Sequence, residues 1–157
     1  MNKEKKQEFT ARVVNANRSE LIVIMYDLIF AYMEDAQADY EKDDWEAVKV
    51  DFDHMETVIR RLVLDLNHSY KVANELYALY QFCLRQLALA KVKKNLEGME
   101  NAKAVLDNLY VGMKGMAKED TTSPMMQNSQ KVVAGLTYGK SSLSEVQLGD
   151  SNRGFYA

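Results

Sequence analysis

The chain is poor in the residues that interrupt folds or staple them together. Its 157 residues include one cysteine, one proline, two histidines and one tryptophan. A single thiol forms no intramolecular disulfide, and Cys83 sits in an apolar helical pattern, so a buried, inert cysteine in a reducing compartment is expected. Proline normally makes up about 5% of residues and breaks helices, yet the sole proline is Pro124, so no earlier residue forces a break. His54 and His68 with one cysteine do not make a zinc set, and neither histidine belongs to the Glu-x-x-His pair by which helical bundles hold two irons. No glycine-rich phosphate loop and no Gly-x-Ser-x-Gly element occurs. The expectation is a non-enzymatic chain with no cofactor, no metal and no catalytic residue.

Long hydrophobic runs are missing as well. The most apolar stretch, 21–33, contains Asp27 and is too short to span a bilayer. The charged start, Met1 to Glu8, leads into nothing of signal-peptide length. A cytoplasmic protein without a membrane partner is expected.

What is present is helical periodicity. Four of the seven glycines and six of the eight serines fall after Asp120, with Pro124. This divides the chain into an amino-terminal segment (1–16), a helical body (17–119) and a carboxy-terminal tail (120–157). Asn17 with Glu20 three residues later forms a capping-box start for a first helix running to about Glu41. Asp43 is the expected cap of a second helix, in which Trp45, Val48, Phe52, Met55, Ile59, Leu62 and Leu66 keep a 3,4,3,4 spacing on one seam. A third helix runs from about Tyr70 to Lys94. Asn95 is the expected cap of a fourth, weakened by Gly98, Gly112 and Gly115. Four helices with short connections give an all-α, antiparallel up-and-down four-helix bundle.

The first helix carries more apolar surface than such a bundle needs. A core-facing stripe is a little over 100° wide. Leu21, Ile22, Val23, Met25, Tyr26, Ile29, Phe30 and Met33 belong to an arc of more than about 200° on a helix advancing 100° per residue, opposite a narrow acidic seam at Asp27 and Glu34. The third helix shows a similar surplus, with Tyr77 and Leu84 beside Leu76, Tyr80, Cys83 and Leu87. Each residue alone reads as an ordinary core position. Together they read as a groove for an apolar segment, either the chain's own or a partner's. Residues 20–46 hold nine acids and one lysine, which argues against nucleic acid on that face. The acids read either as a solvated surface or as steering for a basic partner.

The stretch Asn15-Ala16-Asn17-Arg18-Ser19-Glu20-Leu21-Ile22-Val23-Ile24-Met25-Tyr26-Asp27 resembles the amino-terminal signature of the FliS family of flagellar secretion chaperones. Val72-Ala73, Leu76-Tyr77-Ala78-Leu79-Tyr80, Phe82 and Leu87 with Ala90 resemble its third-helix segment. The likeness extends over about residues 9–117. Asn17-Arg18 stands where the family has Ser-Pro, Leu28 where it has glycine, and Phe9 about where it has tyrosine. The resemblance implies a chaperone that binds the disordered carboxy-terminal segment of flagellin, prevents premature polymerisation and helps deliver it to the export apparatus. Further export or regulatory proteins would be additional partners, and the amino-terminal segment would occupy part of the client surface when it is empty. The client-binding residues expected on this reading are Leu21, Ile22, Val23, Tyr26, Phe30, Tyr77, Tyr80 and Leu84. Two other readings stand beside it: a phosphotransfer bundle acting through His54, and a self-associating bundle whose surplus surface is a homodimer interface. The tail, with Val132, Val133, Leu136, Tyr138 and Phe155, reads either as a mobile terminus or as a segment that docks on a bundle and competes with the client.

Overall fold

Residues 3–8 are charged or amide helix formers, and Asn2 accepts a hydrogen bond from the Lys5 amide at 2.9 Å. The chain accordingly begins as a helix, α1 (Lys3–Asn15). In the computed structural model, which describes residues 1–126, the bundle follows as α2 (Arg18–Glu41), α3 (Trp45–Leu64), α4 (Lys71–Lys93) and α5 (Glu97–Glu119). The apolar tail residues from Val132 onward lie outside the described residues.

The capping box at α2 forms as expected. Asn17 Oδ1 accepts from the Glu20 amide at 2.9 Å, and the Asn17 amide donates to the Glu20 carboxylate at 3.2 Å. The two later caps each fall one residue on from the sequence expectation. Asp43 adopts a left-handed conformation (φ 62°) in the turn, and Asp44 takes over as cap of α3, accepting from the Ala47 amide. Leu96 occupies the cap position of α5, while Asn95 still accepts from the Glu97 amide at 3.1 Å. Short polar side chains satisfy open amides from either position, so residue type alone does not fix the register of a cap.

α2 packs against α3 and α5, and α4 against α3 and α5, closing an antiparallel up-and-down ring. The second-helix seam is the heart of the core: Val48, Phe52, Met55 and Ile59 are fully buried, with Ile29, Leu87 and Leu106 facing them. Cys83 is buried there too, and burial pushes its thiol up to about 11, which keeps it inert. α4 and α5 approach closely at Gly98, where an added Cβ would lie 2.0 Å from the Gln86 carbonyl oxygen. Among the described residues no helix is long and apolar enough to cross a membrane.

Candidate functional site

α1 is a helix with no buried residue, and it packs against α2. The acidic seam of α2 is what receives it. Lys5 reaches Glu34 at 3.4 Å and Arg12 reaches Asp27 at 2.5 Å. The two cations are seven residues apart and so are the two acids, in opposite chain directions, so α1 runs antiparallel to α2 in a matched charge register. The Met1 amine lies 2.8 Å from Asp35 at the far end of the seam. Of the nine acids, Asp27, Glu34 and Asp35 thus meet the chain's own amino-terminal segment.

This docking also accounts for part of the surplus apolar arc. Ile24 and Ala31 lie toward the acidic side of α2, away from the bundle core, yet are only 5% and 7% exposed. Ile24 lines a cavity with Val23 of α2, Ala11, Arg12 and Asn15 of α1, and Ala117 of α5. Ala31 and Phe30 line another with Lys5 and Phe9. A largely polar helix thus covers apolar residues, held by ion pairs together with its half-buried Phe9 beside Phe30 and Ala31.

Beside α1, a groove of about 670 Å³ runs between α2 and α5. Phe30, Met33, Ala38, Met99 and Tyr110 provide its apolar lining; Glu34, Glu41, Glu100 and Asp107 are the acids there, with Lys103 among them. Phe30 and Tyr110 meet edge to face at 5.2 Å, and Tyr110 stacks on Tyr26 at 6.0 Å. The Tyr110 hydroxyl donates to Asp27, the carboxylate that also holds Arg12. Burial first, then the hydrogen bond to Asp27 and its charge, push the Tyr110 phenol up to about 12. Asp27 therefore ties α1, α2 and α5 together at one point.

The eight residues expected from sequence do not form one surface. Tyr26, Tyr80 and Leu84 lie in the core at 0%, 1% and 8% exposure, with the two hydroxyls paired at 2.7 Å. Leu21, Ile22, Val23 and Phe30 are half-buried along α2. Tyr77 is exposed on α4, edge-on to His68. None of Asp27, Met99, Lys103 and Tyr110 was among the residues expected to contact a client, although Asp27 was already marked in the acidic seam. The signal for Tyr110 was available, since it widens the α5 stripe by one residue beside Leu109. His54 is exposed, and its ring stacks on Tyr32 at 4.7 Å. No group of three metal-ligating side chains occurs among the described residues.

A family model described as flagellar protein FliS matches residues 1–120. No curated protein matches the chain.

Proposed function

The chain belongs to the FliS family, a family of flagellar export chaperones and not of enzymes, and we propose that within it this protein binds the carboxy-terminal segment of flagellin in the cytoplasm and keeps it from polymerising before export. The observation that carries the reading is the cover on α2. A helix that buries none of its own residues lies over Val23, Ile24, Phe30 and Ala31, held by ion pairs. Exposed or half-exposed pairs of this kind contribute about 0–1 kcal/mol each, so the cost of lifting the cover lies mainly in re-exposing apolar residues beneath it, which a client would cover again. A client helix with an apolar face gains more, because coupled folding of a disordered segment typically buries about 1,000–3,000 Å².

Client contact is assigned to Leu21, Ile22, Val23 and Phe30 on α2, extended along the α2/α5 groove, with Tyr77 as a separate contact on α4. Tyr26, Tyr80 and Leu84 act as the packed floor beneath and touch a client only where helices part. Further export or regulatory proteins would use faces left free by flagellin.

Isothermal titration with a flagellin carboxy-terminal peptide, followed by circular dichroism, tests the reading. Heat of binding with a gain in helicity is expected, and the absence of both would sink it. Phe30→Asp is expected to weaken binding at least about tenfold, the effect of 1.4 kcal/mol; unchanged affinity would refute the site. Sedimentation of the protein alone at several concentrations separates this reading from a homodimer, which predicts a mass that rises with concentration.

A further inference from the structure

The α1–α2 junction is bonded by residues that follow α5. Ala16 and Asn17 are 4% and 3% exposed. Asn17 Nδ2 donates to the carbonyls of Asp120 (3.2 Å) and Thr122 (3.3 Å). The Ser19 hydroxyl donates to Asp120 Oδ2 at 2.6 Å, and the other oxygen of that carboxylate accepts from the Thr122 amide and hydroxyl. The Met125 amide donates to the Ala16 carbonyl at 3.1 Å. Residues 120–125 therefore bond to both residues of the link between α1 and α2 and to Ser19 just beyond it.

We propose that this segment is a strap that sets the exit direction of α1 from α2, so that releasing the strap releases α1 and uncovers Val23 and Ile24. The link has two residues, Ala16 and Asn17, both in extended backbone (φ −87°, ψ 141°; φ −81°, ψ −176°). Without an external grip, such a link leaves α1 with two pairs of soft dihedrals and only its own contacts to α2, two ion pairs and the half-buried Phe9. The strap removes that freedom. It also joins the amino-terminal cover to the part of the chain that continues into residues 127–157, so a partner that pulls on or occupies the carboxy-terminal segment gains access to the covered face of α2. That last consequence rests on the flagellin-binding reading; the coupling between strap and α1 does not.

Residue-resolved hydrogen exchange on the full chain, without any client, tests the coupling. In Asp120→Ala, amides of Phe9 to Asn15 are expected to exchange at least about threefold faster, with the α3 amides of Phe52 to Ile59 unchanged. Ser19→Ala removes one bond of the grip and serves where Asp120→Ala does not fold. Coupling is reciprocal, so Arg12→Ala, which loosens α1, is expected to speed exchange at Thr122 and Met125, while Arg61→Ala on α3 is not. Unchanged α1 exchange, an equal rise in α1 and α3, or undisturbed strap amides in Arg12→Ala would each overturn the proposal. Failure here leaves flagellin titration unaffected, and failure of that titration leaves this result intact.

Discussion

Tyr26 and Tyr80 show how a polar pair survives in an apolar core. Each hydroxyl has the other as its partner at 2.7 Å, and burial raises both phenols above their ordinary range. Removing one hydroxyl strands the other, at about 1–3 kcal/mol, whereas removing both is nearly neutral. Tyr26→Phe and Tyr80→Phe are therefore each expected to destabilise, and the double variant to recover most of the loss, as read by urea denaturation. Two carboxyls respond to pH in opposite directions. Burial first, then the neighbouring Asp35 and Asp39 charges, raise Asp51 from 3.8 to about 6, with the Met1 amine and His54 opposing. Its folded value exceeds the unfolded one, so the native state loses stability as pH rises from about 4 to about 6. Asp51→Asn should remove that loss and stabilise the protein above pH 7 by about 1–2 kcal/mol, seen as a higher melting temperature at pH 8. Asp120 is lowered to about 2 by bonds from Ser19 and then Thr122. Its contribution holds above about pH 4 and is lost as pH falls toward 2, so the protection of strap amides relative to their intrinsic exchange rates should fall over that interval.

At the scale of the element, the glycines of α5 differ in what surrounds them. At Gly112 and Gly115 an added Cβ meets nothing within 4 Å, whereas at Gly98 it meets the Gln86 carbonyl. Gly112→Ala and Gly115→Ala should each stabilise by up to about 1 kcal/mol through helix propensity. Gly98→Ala should destabilise by about 1–3 kcal/mol, because backbone must move to admit the methyl group. Chemical denaturation of the three variants decides this, and equal effects at all three would refute the close approach. α1 was the element least visible in the sequence. Periodicity identifies a helix by its apolar stripe, and in α1 that stripe is short: the half-buried positions Lys5, Phe9, Arg12 and Val13 step by four, three and one, and two of them are the cations that meet Glu34 and Asp27.

For the whole molecule, the proposed function predicts that cover and client respond differently to salt. Ionic contacts between α1 and α2 weaken as the screening length falls to about 3 Å at 1 M salt, while burial of a client's apolar surface does not. Titration of the flagellin peptide at 0.1 M and 1 M salt should therefore show affinity unchanged or increased; a tenfold loss would mean that charge, not apolar burial, holds the client. Several features of the molecule were legible in residue order alone: the four-helix bundle, the Asn17 capping box, the seam from Val48 to Leu62, the buried Cys83 and the excess of apolar surface on α2. These follow from local spacing, because a helix buries whichever stripe repeats every three or four residues. Only the tertiary structure decided which apolar residues are core and which are surface. Tyr26, Tyr80 and Leu84 went inside, Phe30 to the edge of a groove and Tyr77 outside, because the angle at which neighbouring helices meet a wide stripe is set by their own packing and not by the stripe. It also decided what the acids of α2 receive, and how residues 120–125 return to grip Asn17, since pairing across a hundred residues leaves no periodic trace in the chain.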